Sequence, residues 1–127
     1  MSTKKDNFQL SDKKLMKLAI SLAENQKYFT GTNPSVGCVI TRNNKIISYG
    51  VTGKNGRPHA EINAINKKKS KDLYNSSMYV SLEPCTHYGK TPPCTNTLIK
   101  KKFKKVFFSH TDEDKRTKNT AKNIFCL

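Results

Sequence analysis

His59, Cys85 and Cys94 are residue types that together can hold a zinc ion, and Glu61 stands two positions after the histidine. One imidazole and two thiolates form a borderline-to-soft donor set that suits zinc better than harder, oxygen-seeking cations. Three protein ligands leave the fourth tetrahedral position to water, whereas a purely structural site more typically closes with four. Glu61 is not required as a ligand, so its carboxylate is left to carry protons. Zinc brings the pKa of a bound water toward neutrality. The set therefore reads as one Zn2+ per chain on His59, Cys85 and Cys94, with Glu61 as the catalytic acid and base.

Each part of this pattern is weak alone. His-Ala-Glu triplets occur by chance on many helices, and so do cysteine pairs with eight residues between them. In order, however, the chain runs His59-Ala60-Glu61, then Pro84-Cys85, then Cys94. That joint order is the signature of zinc-dependent base deaminases. The chemistry it implies is attack of an activated water on a ring carbon bearing an exocyclic amine, with ammonia leaving.

The elements that must position these residues follow from periodicity. Residues 1–10 are polar and are expected to be flexible, with the deaminase domain over 11–127. Ser11 suits an N-cap, and Leu15, Leu18, Ala19 and Leu22 recur at helical spacing over Asp12–Asn25. A loop over 28–35 presents Asn33, held extended by Pro34. Two strands over 36–41 and 45–49 flank an Asn43-Asn44 turn, with Cys38 a structural thiol inside the first. Gly50–Arg57 reads as a loop and His59 opens a second helix, which dissolves into a solvated lysine run at 67–71. A strand at 78–82 leads to Cys85. Pro92-Pro93 starts a third helix, with Cys94 in its first turn. Val106–Ser109 is a further strand and 117–125 a last helix. By this reading His59 and Cys94 sit at helix starts, where thiolates are favoured, and Cys85 follows a strand. The alternation predicts an α/β fold: a three-layer α/β/α sandwich whose mixed sheet starts with an antiparallel hairpin.

At 127 residues the chain is sized for one domain with a hydrophobic core. A net charge of +15 suggests phosphate-bearing partners. The excess is nearly all lysine, however, and only Arg42, Arg57 and Arg116 offer the fork that reads phosphate bidentately. The excess therefore reads mainly as a compositional bias spread over solvated faces, and argues against nucleic acid. No apolar run approaches membrane-spanning length, and Met1–Asp6 is no apolar leader. A cytoplasmic, reducing setting is expected, in which cysteines near a histidine more often serve metal or catalysis than disulfides.

Three stretches carry a family resemblance: Asn33-Pro34-Ser35-Val36-Gly37-Cys38, Gly56-Arg57-Pro58-His59-Ala60-Glu61, and Leu82-Glu83-Pro84-Cys85-Thr86-His87-Tyr88-Gly89-Lys90-Thr91-Pro92-Pro93-Cys94. Over roughly residues 11–118 the chain resembles the deaminase domain of bacterial riboflavin biosynthesis, the diaminohydroxyphosphoribosylaminopyrimidine deaminases. Transfer-RNA adenosine, cytidine and deoxycytidylate deaminases are similar more distantly; they typically keep two residues between the cysteines. The resemblance implies a cytidine deaminase-like fold and a ribosylaminopyrimidine 5′-phosphate as substrate. It also implies that Asn33 hydrogen-bonds base or sugar, and that His87, Lys90 and Thr91 line the pyrimidine and phosphate end. Lys90 is a point charge suited to phosphate, and His87 and Thr91 are donors.

Two departures stand out. Thr52 occupies a position where these proteins often carry a histidine. The chain also stops at Leu127, where relatives continue through a further strand into an NADPH-dependent reductase domain. No NADPH site is therefore expected here, a missing final strand is, and a homo-oligomer or a separate reductase would be the protein partner. The competing readings are an RNA or other nucleotide base deaminase, and an inactive zinc-binding remnant. Retention of Glu61 argues against the last.

Overall fold

The computed structural model describes residues 2–82 and 94–109, with side chains from residue 12 onward except at 95. Cys85, His87, Lys90 and Thr91, and the helix expected over 117–125, lie outside the described residues. The elements run α1 (Ser2–Gln26), β1 (Gly37–Arg42), β2 (Lys45–Val51), a 3-10 turn (Lys54–Gly56), α2 (Ala60–Asn66), α3 (Ser70–Leu73), β3 (Ser77–Val80), α4 (Cys94–Lys100) and β4 (Lys105–Phe108).

The four strands form one sheet in the order β2-β1-β3-β4. β1 is antiparallel to both β2 and β3, and β3 is parallel to β4. The hairpin turn falls on Asn43 and Asn44, both at positive φ (53° and 64°), as a primed two-residue turn demands. Strand alternation sorts the side chains into two layers. Val39, Tyr79 and Phe107 point to one face, where Leu15, Met16, Ala19 and Leu22 of α1 cover them. Cys38, Ile40, Met78, Val80 and Val106 point to the other, packed with Ala60, Ala64 and Ile65 of α2, Leu73 of α3 and Leu98 of α4. Helices thus cover both faces of a mixed sheet, the sandwich expected from the sequence.

α1 is seated closely. A Cβ on Gly37 would stand 1.9 Å from the Ala19 carbonyl oxygen, so only glycine lets β1 run beneath the helix. Tyr79, stacked on Phe107 with ring centroids 5.0 Å apart, donates its hydroxyl to the Asp12 carboxylate and ties α1 to β3. Burial first, then the Asp12 bond, raises the Tyr79 pKa above the usual tyrosine range.

Three local expectations are corrected. α1 begins at Ser2, so Ser11 lies inside the helix and is not its cap. No proline or glycine interrupts residues 2–26, and polar residues alone do not stop a helix. The lysine stretch is not one trailing helix end: α2 finishes at Asn66, and a new turn, α3, forms at Ser70–Leu73. Leu73 anchors that turn at 0% exposure, and Arg42 donates to the carbonyls of Lys71 and Asp72 at 3.1 and 3.4 Å. Finally, His59 is the N-cap of α2, with φ −64° and ψ 157°, rather than a residue of its first turn. No helix among the described residues is long and apolar enough to cross a membrane.

Candidate active site

α2 and α4 lie on the same face of the sheet, and their starts meet. His59 caps α2, and Cys94 is the first residue of α4. The Nδ1 of His59 stands 3.2 Å from the Sγ of Cys94. Two of the three expected metal ligands are thus in contact, although they are separated by thirty-five positions in the chain. Cys94 is 2% exposed and His59 half-buried, so the thiol is shielded while the imidazole borders solvent.

Glu61, in the first turn of α2, is 4% exposed. A carboxylate this deep is costly unless chemistry or a partner uses it. Its field reaches Cys38 beneath it in β1: burial, then the Glu61 charge, pushes the Cys38 thiol well above its ordinary pKa. Cys38 therefore stays a neutral thiol, in keeping with a packing role.

The outer nitrogen of the histidine is engaged as well. Arg57, which carries only donors, donates from Nη1 to His59 Nε2 at 3.2 Å. With Nε2 accepting, the ring proton sits on Nδ1 and faces the Cys94 sulfur; a metal on Nδ1 would move that proton to Nε2 and end the Arg57 bond. The donor set fits zinc: an imidazole nitrogen and a thiolate on one tetrahedral ion stand about 3.6 Å apart, close to the spacing found. Among the described residues no group of three metal donors forms, Cys85 lying outside them.

Two loops bound the site, and each is locked to the other. Asn33 donates its side-chain amide to the Gly56 carbonyl at 2.9 Å, and the Asn55 N–H donates to Phe29 O at 2.8 Å. Thr30 Oγ1 closes the first loop on Asn33 O at 2.8 Å. Thr52 is 2% exposed; its hydroxyl accepts from the Val36 N–H at 2.8 Å and donates to Pro34 O at 3.2 Å. Thr52 thus braces the strand that follows Asn33. A further brace seats α2: Ser48 donates to Ala64 O at 2.7 Å, and a Cβ on Gly50 would meet Ala60 O at 2.4 Å.

Of the eight residues singled out from the sequence, the structure brings His59, Glu61 and Cys94 into one corner, with Asn33 on the adjoining loop. Sequence reasoning did not single out Arg57 for the site. Its signal was an arginine two residues before the histidine in a chain with only three arginines.

Known proteins resemble the chain along most of its length. The family model for the zinc-binding region of cytidine and deoxycytidylate deaminases matches residues 9–110, and the chain belongs to that family. A diaminohydroxyphosphoribosylamino-pyrimidine deaminase of Buchnera aphidicola (subspecies Schizaphis graminum) is 44% identical over 103 residues, which cover 81% of this chain and 69% of that protein. The riboflavin biosynthesis protein RibD of Aquifex aeolicus is 45% identical over 101 residues, 80% of this chain but 28% of that one. Among solved structures, RibD of Acinetobacter baumannii superposes with a TM-score of 0.83 at 38% identity, covering 90% of this chain and 32% of that chain. The chain thus spans between a quarter and a third of these two RibD proteins.

Proposed function

We propose that the chain is a zinc-dependent deaminase of the riboflavin pathway. It hydrolyses the ring amine at the 2-position of 2,5-diamino-6-(5-phosphoribosylamino)pyrimidin-4(3H)-one, giving 5-amino-6-(5-phosphoribosylamino)uracil and ammonia. The observation that carries this reading is the contact of His59 with Cys94 beside the buried Glu61. The named relatives supply the substrate.

His59 and Cys94, with Cys85 as third ligand, would hold one zinc ion. When bound, zinc supplies the Lewis acidity that makes a water nucleophilic near neutral pH. The Glu61 carboxylate takes a proton from the attacking water as oxygen bonds to the ring carbon. It passes that proton to the ring nitrogen, then takes the hydroxyl proton of the adduct and delivers it to the amine, so that the carbon–nitrogen bond breaks and neutral ammonia departs. The locked loops of Asn33 and Thr52 hold one wall of the substrate site, and His87, Lys90 and Thr91 are assigned to the pyrimidine and phosphate end. The reading also places the enzyme in the cytoplasm.

A substrate panel tests this. Purified zinc-loaded protein is expected to release ammonia from the diaminopyrimidine ribotide and not from cytidine, deoxycytidylate or adenosine in transfer RNA. Equal or greater release from any of those three would overturn the substrate assignment.

A further inference from the structure

α2 carries both His59 and Glu61, yet it is only seven residues long (Ala60–Asn66). A helix this short does not hold itself in water, and its placement must come from what it touches. One side chain on it reaches two separate pieces of the site's frame. The side-chain amide nitrogen of Asn63 donates to the carbonyl of Val51 at 2.7 Å and to the carbonyl of Pro58 at 3.3 Å. An NH2 group has two hydrogens, one for each acceptor. With the amide turned over, its oxygen would face two carbonyl oxygens, so the chemistry fixes which way it points.

The acceptors are telling. Val51 is the last residue of β2, and Pro58 immediately precedes His59. The backbone N–H of Asn63 also donates to His59 O at 3.0 Å. Asn63 therefore ties the end of an edge strand, the loop before the metal-binding histidine and the first turn of α2 into one unit.

We propose that Asn63 is a positioning residue for the deamination. It fixes His59 and Glu61 relative to β2, and so relative to Cys94 across the site. The inference rests on the functional reading above, in which His59 binds zinc and Glu61 moves protons.

The same helix provides its own control. Lys67, one turn further on, donates from Nζ to Tyr49 O of β2 at 2.7 Å and lies over the Tyr49 ring at 4.2 Å. This is also a side-chain bond from α2 to β2, but it does not reach the loop bearing His59. If seating of the helix were all that mattered, losing Lys67 would act like losing Asn63.

The test uses the full chain with Asn63→Leu, Asn63→Gln and Lys67→Met. Zinc affinity is read by competition with a chromogenic chelator, beside kcat, KM and Tm. Asn63→Leu keeps the volume and deletes the donors. It is expected to weaken zinc affinity and kcat each about 10- to 100-fold, the range for partners that orient metal ligands, with KM within about twofold. Asn63→Gln keeps the amide and is expected to retain more of both. Lys67→Met is expected to lower Tm and leave zinc affinity and kcat unchanged. Unchanged zinc affinity and kcat in Asn63→Leu would overturn the proposal, and so would equal losses in Lys67→Met. Should Asn63→Leu fail to fold, Asn63→Gln against Asn63→Ala decides: equal zinc affinity and kcat in the two refutes a donor role. A wild-type chain that binds no zinc sinks the functional reading itself, whereas a zinc-binding wild type with indifferent Asn63 variants sinks only this inference.

Discussion

Gly50→Ala adds one methyl group, far from any reacting atom in the sequence, and is expected to cost most of the activity. The new Cβ would lie 2.4 Å from Ala60 O, 2.6 Å from Ala64 N and 3.2 Å from Ala64 Cα, all backbone atoms of α2. A carbon settles against a carbonyl oxygen at about 3.3 Å, so the strand and the helix must separate by roughly 0.9 Å. β2 is held on its other side, where Gly50 pairs with Cys38 in the sheet interior, so α2 is the element that yields. Ala60 lies between His59 and Glu61, and the displacement therefore falls on both. A misplacement of about 1 Å costs on the order of 100-fold in rate, equivalent to about 2.7 kcal/mol of barrier. The methyl group overpacks the core as well, at about 1–3 kcal/mol of stability. Steady-state ammonia release per bound zinc, measured beside a urea titration, separates the two effects. A folded Gly50→Ala protein with wild-type kcat per zinc would refute the claim that contact with β2 sets the position of α2.

Other outcomes follow from the same contacts. Tyr79→Phe deletes the hydroxyl that reaches Asp12 from a residue at 2% exposure. It is expected to cost about 1.5–3 kcal/mol in urea unfolding, as for a hydrogen bond to a charged group, and no loss would show that the bond is not made in solution. The pH dependence of this residue has a definite sign. Its folded pKa is raised, so the stability it contributes is fully present below the unfolded value near 10 and is lost as pH rises beyond it. Wild type should therefore lose more stability than Tyr79→Phe above about pH 10, and parallel profiles would contradict this. Cys38, 0% exposed with its thiol pKa pushed up by burial and by Glu61, is expected to resist iodoacetamide at pH 8 in the native protein and to react in denaturant. Peptide mapping that finds native Cys38 alkylated would refute the buried placement. Leu98→Ala, at a fully buried position of α4 opposite α2, is expected to destabilise by about 2–5 kcal/mol. A Tm equal to wild type would count against the packing described.

Much of the site was legible because its residues announce themselves by chemistry. Histidine, glutamate and cysteine in a fixed order need no tertiary information, and Asn43-Asn44 signals a hairpin because both residues tolerate the left-handed region. What the sequence hid was set by contacts between distant segments. The start of α1 was hidden because the polar residues before Ser11 carry no stop signal. α3 was hidden because a single buried leucine, Leu73, anchors a turn inside a lysine-rich stretch. The central place of β1 depends on pairing β1 with β3, some forty residues apart, which no local pattern reveals. Thr52 was read as a missing histidine, whereas its buried hydroxyl holds Pro34 and Val36. Asn63 and Gly50 carried no signal because their roles consist of the distances from α2 to β2. The sequence thus named the groups to which the proposed reaction gives chemistry, and the packing supplied the residues proposed to aim them.

The central claim is that Glu61 moves protons at a zinc site to which it is not a ligand. The most direct test is single-turnover ammonia release from the diaminopyrimidine ribotide by wild type and Glu61→Gln, with zinc quantified in both. The account predicts one zinc per chain in each protein, with the rate lowered by about 10²–10⁴ in Glu61→Gln. Loss of zinc from Glu61→Gln, or turnover equal to wild type with zinc retained, would contradict it.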